Sequence, residues 1–139
     1  MSRDHRKLRV FRDAYALTKA LYKHTIKFPR EEWYGIRQQI RRAAVSVPTN
    51  IVEGSARKTT KDSCNFLNPA LASACEVPYL VVLASELGFL DASGLTVLKP
   101  ASQAVVRQLQ RLSTEMEAIL LEELAAQSRL KSEARRPTP

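Results

Sequence analysis

Apolar positions recur along this chain at intervals of three and four, and no run alternates with the period of two that a strand requires. Leu8, Phe11, Tyr15, Thr18, Tyr22 and Ile26, broadened by Ala14, Leu17 and Leu21, mark an amphipathic helix from Leu8 to Ile26. It is expected to stop at Lys27-Phe28-Pro29, because the residue ahead of a proline is pushed out of the helical region. A second helix is predicted from Glu32 to Arg57, with Ile36, Ile40, Ala43, Val47, Ile51 and Gly54 on one face. Glu31 and Glu32 suit its first turn, where the helix dipole is positive. Pro48 inside it predicts a kink, since the period continues through Ile51.

Thr59 and Asp62 have the spacing of a capping box and predict a third helix that runs to Leu87, with Gly88 as its stop. Its apolar residues fall on two lines, Leu67, Leu71, Ala74, Pro78 and Val81 on one, Leu80, Leu83 and Leu87 on the other. Such a helix needs cover on two sides, an internal core and a subunit interface. Pro69 and Pro78 each delete a backbone hydrogen bond at a cost of about 3 kcal/mol, so a break or two kinks are expected there. After a turn from Gly88 to Gly94, Pro100 suits the first turn of a last helix from Ala101 to Arg129. Its seam is Val105, Leu109, Leu112, Met116 and Ile119. Together these elements predict an all-α fold, an up-down-up-down antiparallel four-helix bundle over residues 1–130, followed by a disordered basic tail over 131–139.

Charge then narrows the partners. Lys and Arg number 22 against 14 Asp and Glu, a formal net charge of +8, and the positive field favours polyanions. The N-terminus is charged from the start, and no stretch is read as the roughly 18 apolar residues of a membrane span. A cytoplasmic protein without a membrane partner is therefore expected. Cys64 and Cys75, about 16 Å apart along one helix, cannot bond within the chain and are read as small buried residues in a reducing compartment.

A search for chemistry returns little. His5 and His24 are too few and too far apart for a metal site, and no phosphate loop, metalloprotease, nucleophile-elbow or Cys-x-x-Cys motif occurs. No cofactor, metal or catalytic residue is expected. Glu53, Glu76 and Glu86 lie in apolar or small-residue stretches, where an ion pair that fixes helix register is the simpler reading than a paired-acid hydrolase, Glu76 facing Arg41 or Arg42 being the example. The cations are more informative. Arg37, Arg41 and Arg42, with Arg57, Lys58 and Lys61 at the far end of the same helix, are placed to track a phosphate backbone, unless Arg41 or Arg42 is tied up in an oligomer's ion pairs. The N-terminal set Arg3, Arg6, Lys7, Arg9 and Arg12 and the tail set Arg129, Lys131, Arg135 and Arg136 are expected to be free. Trp33 and Tyr34 suit base stacking, with helix-entry packing the plainer role.

The run from Tyr34 to Gly54, YGIRQQIRRAAVSVPTNIVEG, resembles the signature of the four-helix-bundle proteins encoded in intervening sequences of bacterial large-subunit ribosomal RNA. Lys7-Leu8, Ala14, Lys27-Phe28-Pro29, Phe66-Leu67, Ser73 to Glu76 and Leu87 to Leu90 extend the likeness over most of the chain. Pro69 and Pro78 depart from it. The resemblance implies a ring-like homopentamer of up-down bundles with no known enzymatic activity, while Pro48, Glu53, Gly54 and Glu76 are read from the pattern itself as structural. It also implies a nucleic-acid role, because similar proteins include accessory proteins of diversity-generating retroelements that bind a reverse transcriptase and nucleic acid through a basic surface.

Two readings follow. The first is a non-enzymatic basic oligomeric scaffold that binds RNA or DNA non-specifically through Arg6, Lys7, Arg9, Arg12, Arg37, Arg41, Arg42, Arg57, Lys58 and Lys61. The second is a protein interaction module that docks a reverse transcriptase or a ribosomal component, with nucleic acid incidental.

Overall fold

Four helices carry the chain, α1 (Arg9–His24), α2 (Ile36–Ser55), α3 (Thr60–Glu86) and α4 (Ala92–Ala134), with single 3-10 turns at His5–Lys7 and Arg30–Glu32 and no strand. The computed structural model describes every residue from Met1 to Pro139. α1 packs on α2 and α4, α2 on α3, and α3 on α4, so each helix has two neighbours. One core of 24 buried apolar residues results, with Leu21, Ile40, Ile51, Leu67, Leu80, Leu98 and Leu109 fully enclosed.

Each boundary has a local cause. α2 starts at Ile36, four residues later than the pattern predicts. Glu31 and Glu32 form a separate 3-10 turn after Pro29, and the Glu32 carboxylate accepts a hydrogen bond from the Ile36 N–H at 3.2 Å. It thereby satisfies one of the orphan donors at the helix start from outside the helix. Thr59 accepts from the Asp62 N–H at 3.1 Å, as the capping spacing predicts. α3 ends where Gly88 turns left-handed at φ 82° and the Phe89 N–H returns to the Ala84 carbonyl at 2.9 Å.

α4 departs most from expectation. It starts at Ala92, nine residues ahead of the predicted Ala101, because the Asp91 carboxylate accepts from the Gly94 N–H at 2.7 Å and caps it. Pro100 therefore lies in the helix interior, and the helix continues to Ala134, past Arg129. α3 is likewise unbroken through Pro69 and Pro78. Pro69 is exposed and Pro78 half-buried, so the carbonyls they leave without a helical donor do not all need a partner inside the core.

The inner face of α1 also differs from the predicted stripe. Val10, Ala14, Leu17 and Leu21 are buried, while Tyr15, Tyr22 and Ile26 are exposed. Cys64 is buried, and burial, with Glu117 and Glu123 nearby, pushes its thiol above the usual range, whereas Cys75, read as buried, is exposed. By length and hydropathy α3 is apolar enough to cross a membrane, contrary to the sequence reading. Here Leu67, Ala70, Ala74, Val77, Leu80, Val81 and Ala84 of that helix are buried in the protein's own core.

A proline on the outer face of a continuous helix has a measurable cost. Pro69→Ala restores the N–H that α3 lacks and should raise the unfolding free energy by about 1 to 3 kcal/mol in a urea titration. An unchanged or lower midpoint would show that α3 is shaped around Pro69.

Candidate functional site

The basic residues are divided unevenly between the two halves of the chain. Residues 1–61 hold fifteen Lys and Arg against five Asp and Glu, while residues 62–139 hold seven against nine. The positive charge therefore belongs to α1, α2 and the turn that follows them. Within the chain only two ion pairs form, Arg6 to Asp4 at 3.0 Å and Arg9 to Asp13 at 3.6 Å. The N-terminal set, expected to be free, is thus partly engaged. Arg6 holds the Asp4 carboxyl below its usual range, chiefly through the side-chain hydrogen bond, and Arg12 donates to the carbonyls of Arg6 and Lys7.

α2 separates the candidate residues into two groups. Ser55 Oγ donates to the Arg3 carbonyl at 3.4 Å, which brings the N-terminal segment, with Arg6, Lys7, Arg9 and Arg12, to the same end as Arg57, Lys58 and Lys61. Arg57 stacks over the Phe66 ring at 4.5 Å, and Lys58 and Lys61 line a cavity of about 560 Å³ against Leu120, Glu123 and Leu124 of α4. Arg37, Arg41 and Arg42 stand about 20 Å or more away, at the other end of α2. The ten positions are not one continuous surface.

The second group is the more organised. Arg37 lies over the Trp33 ring at 4.4 Å and Arg30 at 5.3 Å from the same ring, while the Trp33 indole N–H donates to the Phe28 carbonyl at 3.1 Å. Trp33 is thus half-buried and already occupied by cations, as a helix-entry residue would be. Arg41 crosses to α1. Its Nε donates to Thr25 Oγ1 at 2.8 Å, its Nη2 to the Tyr22 carbonyl at 3.2 Å, and its guanidinium lies 4.4 Å from the Tyr22 ring. No carboxylate accompanies it. Burial, and then the charge of Arg37, holds Arg41 below the usual guanidinium range.

Beside these residues α2 borders two adjoining cavities of about 570 and about 530 Å³, which share Tyr34, Gln38, Arg42 and Ser46. Tyr34 is 87% exposed, so its ring is open for stacking in a way that Trp33 is not. Ser73 of α3 donates to Ser46 Oγ at 2.9 Å and closes one side. Glu76 lines the smaller cavity with Arg42, but the expected ion pair to Arg41 or Arg42 does not form. Glu53 is exposed with no ion pair either. Of the structural positions, Pro48 and Gly54 are buried, and a Cβ at Gly54 would lie 3.1 Å from Phe66 Cβ and 3.4 Å from the Ser63 carbonyl oxygen.

Chemically the strip presents three guanidiniums, the three side-chain amides of Gln38, Gln39 and Asn50, and an open phenol ring. Guanidiniums laid on aromatic faces lose little freedom when they bind, and cation–π contact is worth about 0.5 to 1 kcal/mol at an exposed site. Sequence reasoning named Arg37, Arg41 and Arg42 but missed Tyr22 and Gln38. Tyr22 was placed in the core stripe, and only the α1–α2 packing brings it to Arg41.

Because Arg41 has no acidic partner, its removal leaves no buried charge uncompensated, and Thr25 Oγ1 keeps its bond to the Tyr22 carbonyl at 3.3 Å. Arg41→Met should change stability by less than about 1 kcal/mol in denaturant, against about 3 to 5 for a broken buried ion pair. A loss of about 3 kcal/mol or more would make Arg41 a structural residue.

Comparison with known proteins bears on the fold and the family. The family model described as 23S rRNA-intervening sequence protein matches residues 6–111. A crystal structure of a protein with unknown function from the S23 ribosomal protein family of Bacteroides thetaiotaomicron superposes with a TM-score of 0.68 at 20% identity, over 76% of this chain and 95% of that one. At that identity the likeness speaks for the fold alone. No curated protein matches the chain.

Proposed function

The chain belongs to the 23S rRNA-intervening sequence protein family, and from that premise we propose that it is a non-enzymatic, basic, oligomeric scaffold that binds RNA or DNA without sequence preference. The observation that carries this reading is the set Arg37, Arg41 and Arg42, gathered along an uncovered face of α2 with no carboxylate neutralising any of them. Phosphate is the partner such a face lacks, since binding it releases condensed counterions from the polyanion. Tyr34 supplies a stacking face for an unpaired base, which any base satisfies. Single-stranded nucleic acid suits the strip better than duplex for that reason. No chemical step, metal or cofactor enters this role.

The proposal extends to architecture and place. Ser46 meets Ser73, Thr18 meets Ala44, Asp13 meets Gln108 and Thr60 meets Glu123, pairings that support an up-down-up-down antiparallel order. The exposed, nearly uncharged outer side of α3, with Pro69, Ala72, Cys75 and Tyr79, supports burial against further copies in a ring-like homo-oligomer, a pentamer by family likeness. Two free thiols, Cys64 and Cys75, support a reducing, cytoplasmic setting.

A second reading has its own support. Trp, Tyr and Arg together are the residues that dominate protein interfaces, and Trp33, Tyr34 and Arg42 cluster here. Docking of a reverse transcriptase or a ribosomal component on the same strip is the form it takes.

Fluorescence anisotropy with a labelled single-stranded oligonucleotide separates the two. Phosphate contacts through three arginines predict a slope of log affinity against log salt of about −2, and Arg42→Ala should reduce it by about 0.7. An absence of binding at low ionic strength would overturn the reading, and a slope that Arg42→Ala leaves unchanged would move the contacts elsewhere.

A further inference from the structure

α4 outruns the bundle it belongs to. Its 43 residues span about 64 Å, against about 40 Å for the 27 of α3. From Glu117 to Ala134 only Leu120 and Ala126 are even half-buried. The family match stops at Arg111, so this segment is additional to what that match covers.

The overhang keeps the seam of a helix meant to be covered. The positions that bury Val105, Leu109 and Met116 recur at seven-residue spacing at Ile119, Glu123, Ala126 and Leu130, where Ile119 is 41% and Leu130 66% exposed and Glu123, the one charged member, accepts from the Thr60 hydroxyl at 2.9 Å. The α2–α3 turn lies against Leu120, Glu123, Leu124 and Gln127, so it meets the seam at Glu123 and otherwise lies to one side of it. On its other flank, again at seven-residue spacing, stand Glu115, just ahead of the overhang, Glu122 and Arg129, and the same spacing reaches Arg136, two residues past the helix end. Two acids followed by two bases are complementary to themselves only when reversed.

We propose that this overhang pairs antiparallel with the same segment of a second copy, Glu122 facing Arg129 and Glu115 facing Arg136, each pair formed twice about a two-fold axis. The same register sets Ile119 against Leu130 in the seam and Glu123 against the small Ala126, which leaves its carboxylate room to reach Thr60. Antiparallel helices place like flanks together, so the order acid, acid, base, base selects this direction, whereas a parallel pair would set this flank against the opposite one, Ser113, Leu120, Gln127 and Ala134, which carries no charge to pair with. The interface does not depend on the nucleic-acid reading, because it uses none of the α2 residues.

Two full-length variants test it, Glu115→Arg with Glu122→Arg, and Arg129→Glu with Arg136→Glu. Sedimentation equilibrium should give the wild type at least twice the mass of either variant alone, and a one-to-one mixture of the variants should regain the wild-type mass. Recovery on mixing shows that both variants are folded. Wild-type mass in either variant alone, a wild type that stays a single chain, or variants that remain apart on mixing would overturn the proposal, and a different occupant would then own the seam.

Discussion

Everything in this molecule depends on how closely α2 is held between its two neighbours. Ile36, Ile40, Ala43, Ala44, Val47, Pro48, Ile51, Gly54 and Ser55 of that one helix are buried. Ala43, Ala44, Gly54 and Ser55 let the backbones approach between the larger residues, and the near contact at Gly54 leaves no room for an extra methyl group without displacing Phe66 or Ser63. Burying a side chain such as Ile40 or Ile51 is worth about 1.5 to 3 kcal/mol, and a helix with its whole inner face so committed has no freedom to rotate.

A fixed inner face dictates what the outer one carries. The arginines of α2 are excluded from the core and emerge at the edges where it meets α1 and α3. Arg41 settles on the Tyr22 ring and the Thr25 hydroxyl of α1, and Arg42 stays exposed beside the serines that join α2 to α3. Arg37 is held by the Trp33 ring and Arg41 by the Tyr22 ring and two neutral oxygens, which orient a guanidinium without cancelling its charge. A carboxylate in their place would have stabilised the same geometry and removed the attraction to polyanions.

Much of this was legible in the residues, for reasons that also explain the rest. Helix number, the Thr59 cap and the Gly88 stop rest on local chemistry and are found where local chemistry puts them. The start of α4 was missed because Pro100 was read as a first-turn residue, when Asp91 was the stronger signal and a proline on the exposed side of a long helix is tolerated. The stripe of α1 was drawn through Tyr15 and Tyr22 because aromatic rings count as apolar, yet both lie outside and Tyr22 serves Arg41. The candidate cations were named as residues and not as two groups. Their division between the two ends of α2 is a tertiary fact, as is the pairing of Arg6 with Asp4 and the lack of one between Arg42 and Glu76.

The central claim is that the open face of α2, and not the acidic half of the molecule, meets nucleic acid. Ultraviolet crosslinking of a bound single-stranded oligonucleotide, followed by mass spectrometry of the attached peptides, tests it most directly. The account predicts adducts at Tyr34 and on peptides that span Glu31 to Arg42. Adducts confined to α3 and α4 would contradict it.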